Sequence, residues 1–292
     1  MVDYKHLEIE DQGQIIICYL SNPPTHTLTA QGLLEIHDFL DSLVTNKELR
    51  ILAFTGAGED VFIRHYEVGE LADSAEKNIS QQEETKKLET NPIKELHGFH
   101  KMLLKIRDLN AIVVAGINGN TAGGGCEFSL GCDLRVMSSG DYFIGLPETS
   151  VGILPGGGGT QRLARLIGSS RALDLILHGQ LISNVKALEF GIINEILPKE
   201  SFLKSLKEYC QILANRAPIA LREVKRAIHR GMDLPLEEAL LIEQEAFNKT
   251  MNSKDAAKAM RTMLNSKEEI DVISKLEWSG AVSYTHLRAH ET

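Results

Sequence analysis

Two glutamates stand 21 positions apart beside runs of glycine, and they are the residues of this chain best suited to move protons. Glu127 ends Ala122-Gly123-Gly124-Gly125-Cys126-Glu127, and Glu148 ends Gly145-Leu146-Pro147-Glu148. Two carboxylates that share a pocket divide acid and base work when their environments separate their pKa values. Glu127 lies between Cys126 and Phe128 in an apolar stretch, where an ionised group is costly without a purpose. The glycine triplet removes every Cβ where a strand turns into a helix, so a ligand atom can lie against the backbone. A helix starting there turns N–H groups and its positive end toward that ligand, which suits a phosphate or a developing oxyanion. No Gly-Lys-Ser/Thr follows, and GxGxxG spacing with a later ribose-binding acid is missing, so neither nucleotide fingerprint applies. The triplet alone is equally the mark of a structural tight turn, and a single glutamate is usually solvated surface. The combination carries the weight.

The elements that must position these residues follow from periodicity. Residues 14–20 read as a strand stopped by Ser21-Asn22-Pro23-Pro24. Thr29 is placed to cap a helix in which Leu33, Leu34, Ile36, Leu40 and Leu43 recur at helical spacing. A short strand at 51–55 ends in Gly56-Ala57-Gly58, and the polar, charged residues 69–92 predict a mobile, partly helical segment. A helix near 95–109 precedes a strand at 111–115, and the glycine-rich passages come next. From Gln161 the pattern is mostly helical, interrupted by a strand at 192–197, with helices at 202–215, 217–229, 236–250 and 254–264. Strands alternating with helices, then helices alone, predict an α/β core with an appended helical region.

Composition narrows the function. The 292 residues, 43% hydrophobic and 24% charged, suit one large packed domain or two small ones. No run approaches the roughly 18 apolar residues that span a bilayer. Met1-Val2-Asp3-Tyr4-Lys5-His6 lacks a basic stretch followed by an apolar one, so a cytoplasmic protein is expected. A net charge of −9 repels nucleic acid and acidic membrane surfaces, and neither is an expected partner. Cys18, Cys126, Cys132 and Cys210 form no CxxC pair and read as buried thiols in a reducing compartment. The ten histidines show no metal-ligand spacing. Residues 282–292 read as a translated sequencing-library adapter, with the natural C-terminus lost after Gly280, so His286 and His290 carry no functional weight.

The run Ile117-Asn118-Gly119-Asn120-Thr121-Ala122-Gly123-Gly124-Gly125-Cys126-Glu127, followed by Cys132-Asp133-Leu134-Arg135, resembles the signature of the enoyl-CoA hydratase/isomerase (crotonase) family. So does Pro147-Glu148 followed by Val151-Gly152-Ile153-Leu154-Pro155-Gly156-Gly157-Gly158-Gly159-Thr160-Gln161-Arg162-Leu163. Asn22-Pro23-Pro24, Ala187-Leu188-Glu189-Phe190-Gly191 and Ala214-Asn215-Arg216-Ala217-Pro218 are similar to the family as well, and the resemblance covers about residues 5–270. It implies a ClpP/crotonase-like fold of stacked β-β-α units over residues 1–204 and a helical oligomerisation region over 205–281. A homotrimer or homohexamer is implied, with the terminal helices packing across subunits.

The implied substrate is an acyl-coenzyme A thioester, with no metal or redox cofactor. The thioester carbonyl would be held by the backbone amides of Tyr66 and Gly124. Arg64, His65, Gly123, Gly125, Pro147 and Gly156 fall on substrate-binding positions. In family members that hydrate a 2-enoyl-CoA, water adds at Cβ under the glutamate matched by Glu127, and that matched by Glu148 exchanges the proton at Cα. Members lacking one glutamate run isomerase or other enolate chemistry, so the presence of both favours a hydratase. The rivals are an isomerase working through Glu148 alone and a non-catalytic acyl-CoA-binding protein, which retention of both glutamates disfavours.

The chain also departs from the family pattern. Where the first oxyanion loop usually reads Phe-Ser/Cys-Ala-Gly-Ala-Asp-Leu, this chain has Phe62-Ile63-Arg64-His65-Tyr66-Glu67-Val68. A backbone donor at Tyr66 survives any side chain. His65 in place of glycine raises the question of the loop's φ and ψ. Together with Tyr66 in place of alanine, it either shapes an unusual acyl pocket or is tolerated variation. Arg64 reads as a partner for a coenzyme A phosphate or as a solvated side chain. Met263 stands where the family often has a phenylalanine near the acyl-CoA.

Overall fold

The computed structural model describes residues 3–81 and 95–265. The later part of the polar 69–92 stretch and the 282–292 tail lie outside them. The chain falls into two compact units that part between Cys210 and Gln211.

The first unit opens with a hairpin of β1 (Leu7–Asp11) and β2 (Ile15–Leu20). Helix α1 (Ala30–Leu43) follows, capped as expected by Thr29, whose side chain accepts the Gly32 N–H at 3.1 Å. Strand β3 (Ile51–Gly56), helix α2 (Val68–Gln81), helix α3 (Gly98–Asp108) and strand β4 (Ile112–Ile117) come next. The glycine-rich passage then forms the two-residue strand β5 (Thr121–Ala122) and helix α4 (Gly124–Gly131), followed by β6 (Leu134–Ser138) and β7 (Phe143–Gly145). A 3₁₀ turn at Glu148–Val151 leads to α5 (Gly159–Ile167), α6 (Ser169–Leu177), β8 (Leu181–Ser183), α7 (Asn184–Glu189) and β9 (Glu195–Leu197). Helix α8 (Phe202–Ala214) follows a second 3₁₀ turn at Lys199–Ser201.

These strands form two sheets. The larger has the order β1-β2-β3-β4-β6-β9, parallel from β2 onward. A parallel sheet covered on both faces favours unbroken apolar runs, and Ile15-Ile16-Ile17-Cys18 and Ile51-Leu52-Ala53-Phe54 are buried throughout. The smaller sheet, β5-β7-β8, carries the second glutamate's approach: Ala122 pairs with Gly145.

Helix α4 is buried at every position from Gly124 to Leu130, Glu127 and Ser129 included. Phe128 fixes it from the core, edge-on to Phe54 at 5.1 Å between centroids and tilted against Phe62 at 6.1 Å. Its far end is held by the buried Arg135, whose guanidinium donates to the carbonyls of Ser129 (3.3 Å), Cys132 (2.8 Å) and Ile192 (2.7 Å). A cation at these carbonyls complements the negative end of the helix dipole. All four cysteines are buried, as expected.

In the second unit, α9 (Pro218–Gly231) and α10 (Leu236–Met251) pair, and α11 (Lys254–Leu264) ends the described chain with Met263 in its last turn. Ion pairs link α9 to α10, Arg226 Nη2 to Glu245 Oε1 at 3.5 Å and Lys249 Nζ to Glu223 Oε2 at 4.0 Å.

Candidate active site

The unusual 62–67 loop lies as an extended rail between two segments. On one side Phe62 N donates to Asn120 O, Ala122 N to Arg64 O and Thr121 Oγ1 to Ile63 O, at 3.2, 3.0 and 2.7 Å. On the other, Arg64 N donates to His26 O, Leu28 N to His65 O and Glu67 N to Leu28 O, at 2.9, 2.9 and 2.8 Å. The backbone therefore sets the loop's course. His65 stays outside the left-handed region, which among the non-glycine described residues only His26 and Asp60 enter, so replacing a glycine here strains nothing.

Glycine is required where this rail meets α4. A Cβ on Gly125 would stand 2.2 Å from Ile63 O, so only glycine lets the rail lie directly on the helix start. A Cβ on Gly124 would stand 3.1 Å from Tyr66 N, which brings the Tyr66 and Gly124 backbones into contact. Among the described residues, neither of these two amides donates to a protein acceptor. Gly123 turns the chain into the helix with φ 50° and ψ −125°, its own N–H donating to Gly145 O at 2.9 Å. Its missing Cβ faces Glu148 Oε1 at 3.2 Å and His65 Cβ at 3.8 Å. Two unengaged amides, a helix N-terminus and a carboxylate thus converge on one spot. Such donors suit a developing oxyanion.

The two carboxylates have different surroundings. Glu127, 4% exposed in the first turn of α4, accepts the Gly159 N–H at 2.8 Å on Oε1. Gly159 begins α5, so the positive end of a second helix faces this carboxylate. Burial raises the Glu127 pKa, opposed by the amides of Gly159, Gly157 and Gly158 and by the nearby Arg162 guanidinium. Glu148, 9% exposed, begins the 3₁₀ turn after Pro147, and its buried Oε2 has no hydrogen-bond partner among the described residues. Burial pushes its pKa to about 7, and the Glu127 charge adds to the rise. Glu148 has only its own backbone amide to oppose burial, whereas three amides and Arg162 act on Glu127, so Glu127 is the better anion and Glu148 the better acid.

The structure gathers Glu127, Glu148, His65, Tyr66, Gly123, Gly124 and, next to Glu148, Pro147. Two other expected positions stand apart. Arg64 is exposed, and Gly156 is exposed with only Leu154 O near the place of its missing Cβ, at 3.9 Å. The glycines that do press on Glu127 are Gly157, whose Cβ would stand 2.6 Å from Oε2, and Gly159. Phe99 and Arg162 complete that wall: Phe99 Cε1 would lie 2.8 Å from a Gly157 Cβ, and Arg162 Nη1 donates to Gly157 O at 3.2 Å. A helix starting after the 156–159 glycine run is the signal that could have pointed to these amides instead of Gly156. Nothing in the pattern signalled Phe99.

Comparison with known proteins places the chain in a family. The family model described as enoyl-CoA hydratase/isomerase matches residues 10–269. The short-chain-enoyl-CoA hydratase of Clostridium acetobutylicum is 30% identical over 91% of this chain and 97% of its own length. The crotonyl-CoA hydratase of Syntrophomonas wolfei is 29% identical over 93% of this chain and 99% of its own. An enoyl-CoA hydratase of Geobacillus kaustophilus superposes with a TM-score of 0.83 at 29% identity, covering 96% of this chain and 98% of that one. The chain belongs to the enoyl-CoA hydratase/isomerase family, with the crotonase fold that the sequence motifs implied.

Proposed function

We propose that this protein is an enoyl-CoA hydratase, adding water across the double bond of a 2-enoyl-CoA to give a 3-hydroxyacyl-CoA. The observation that carries this reading is the unequal pair of buried glutamates beside the unengaged amides of Tyr66 and Gly124. Water held by ionised Glu127 forms its O–C bond at Cβ and gives a proton to that carboxylate. The double-bond electrons move onto the thioester oxygen, where the Tyr66 and Gly124 N–H groups stabilise the developing charge. Protonated Glu148 then delivers its proton to Cα, and a proton passing from Glu127 back to Glu148 resets the pair. Amides and carboxylates supply every group this sequence needs, so no metal or redox cofactor enters it.

The test is the loss of absorbance at the enoyl thioester band with crotonyl-CoA and longer 2-enoyl-CoAs. Rapid loss with formation of the 3-hydroxy product supports hydration. Binding without loss across the series refutes it. One observation favours a second reading, double-bond isomerisation of a 3-enoyl-CoA. A carboxyl with a pKa of about 7 and one buried oxygen without a partner is suited to carrying a proton between Cα and Cγ by itself.

A homotrimer or homohexamer fits the surface of each unit. The first leaves Leu173, Leu177, Leu181, Val185 and Leu188 exposed on consecutive elements, and the second leaves Val224, Ile228, Leu240, Leu241 and Phe247 exposed. Light scattering on the eluted protein reads the stoichiometry directly. Among the described residues no helix is long and apolar enough to cross a membrane. The cytoplasm suits the acyl-CoA substrate and the buried cysteines.

A further inference from the structure

We infer that Tyr66 determines specificity as well as donating an amide: with Phe99 its ring walls the acyl path and confines the enzyme to short acyl groups. The inference rests on the hydratase reading for where the substrate lies. If the thioester oxygen takes the Tyr66 and Gly124 amides, the Tyr66 side chain sits within one residue of the reacting carbonyl. Its Cβ already presses on α4, 2.9 Å from where a Gly124 Cβ would be.

From there the ring runs to Phe99, with centroids 6.4 Å apart and planes inclined by 60°. Phe99 in turn reaches Gly157, and Gly157 abuts Glu127 Oε2, the carboxylate assigned to Cβ. Two aromatic rings therefore join the carbonyl donor to the Cβ base. An acyl chain leaving Cβ has to pass this wall.

The wall is held in place. The Glu70 carboxylate acts on the Tyr66 hydroxyl, and Glu70 Oε2 accepts the Ala30 N–H at 2.9 Å at the start of α1. Burial and the Glu70 carboxylate together push the Tyr66 pKa to about 12, so the ring stays a neutral donor at any working pH. Phe99 is 4% exposed and fixed in the first turn of α3.

The test compares butyryl-CoA with decanoyl-CoA in binding and crotonyl-CoA with trans-2-decenoyl-CoA in turnover. The parent is expected to favour the four-carbon ligand in both, and Tyr66→Ala to shift both ratios toward ten carbons by about tenfold or more, in the range that pocket size controls. Tyr66→Phe, which keeps the ring, is expected to keep the parent's preference. Tyr66→Leu, a smaller perturbation of packing, is expected to shift the ratios in the same direction as Tyr66→Ala. A parent that takes both chain lengths equally well overturns the inference. So do ratios unchanged in the Ala and Leu variants. The saturated ligands are not turned over, so their affinities judge the wall even if hydration is absent, and absent hydration counts against the proposed function alone.

Discussion

Gly159, the first residue of α5, donates its amide proton to Glu127 Oε1 across 2.8 Å, tying the base of the proposed reaction to the N-terminus of a second helix. In the proposed reaction one helix start presents its amide to the substrate oxygen, and the other holds the carboxylate that receives the water proton. The bond requires only an oxygen acceptor. A Gln at 127 keeps that oxygen and loses the ability to take a proton.

Glu127→Gln is therefore expected to lower kcat for hydration by about 10²–10⁴, the usual contribution of a positioned base, with KM near the parent value. The same variant separates the two chemistries, because isomerisation of a 3-enoyl-CoA through Glu148 should largely survive it. Hydration of crotonyl-CoA at the parent rate by Glu127→Gln would remove Glu127 from the mechanism.

Glu148 makes a pH signature. Its folded pKa, about 7, lies above the ordinary 4.5, so between those values the folded protein binds more protons than the unfolded chain. Stability contributed by this group is intact below pH 4.5 and falls as pH rises toward 7. An isosteric amide never has to ionise, so Glu148→Gln should be more stable than the parent at pH 8. The gain is at most on the order of 3 kcal/mol, and it should vanish near pH 4.5. Thermal melts at the two pH values check this. Activity should follow the same proton, with kcat/KM for hydration falling as pH rises through about 7.

Two glycines distinguish damage to the site from damage to the fold. An added Cβ at Gly119 would stand 1.9 Å from the Asp60 carbonyl carbon, which is backbone and cannot step aside. At Gly157 the new methyl would meet the Glu127 carboxylate and the Phe99 ring, which are side chains. Gly119→Ala is expected to lower Tm strongly. Gly157→Ala should retain most of the parent's Tm and lose kcat by about tenfold or more, because small misplacements of a reacting group are costly. Equal kcat in Gly157→Ala and the parent would show that Glu127 need not stand where Gly157 holds it.

Much of this was legible in the sequence, and the limits have physical causes. The apolar runs at 14–20, 51–55 and 111–115 returned as β2, β3 and β4, and Thr29 caps α1, because burial and capping are local signals. The strand expected at 192–197 is shorter, Glu195–Leu197, since Ile192 and Ile193 are buried under the turn that ends α7. The two- and three-residue strands β5, β7 and β8 are too short to show alternation, so the smaller sheet had no signature. Glu127 and Glu148 announced themselves through flanking glycines. Their inequality did not, because it arises from α5 amides reaching one carboxylate and not the other. The question raised by His65 also needed the structure: hydrogen bonds on both sides of the rail fix its backbone, which no side-chain pattern reveals.

Arg135 supplies the last prediction. Its guanidinium is buried, its pKa lowered first by desolvation, yet it meets the carbonyls of Ser129, Cys132 and Ile192 and so locks the end of α4 to the chain after α7. Arg135→Met fills similar volume but withdraws the guanidinium donors; Ser129 O keeps the Cys132 N–H at 3.1 Å, while Ile192 O loses its 2.7 Å donor, and a buried carbonyl left unsatisfied costs about 1–3 kcal/mol. A loss of roughly 3 kcal/mol or more is expected in denaturant titrations. Arg135→Lys should recover little of it, because an ammonium cannot reproduce the planar fork that reaches separate acceptors. Because Glu127 and the Gly124 amide both belong to α4, either variant should also lose turnover under conditions where it remains folded. A folded Arg135→Met protein with parental kcat would mean that α4 is held by its packing on Phe54 and Phe62 alone.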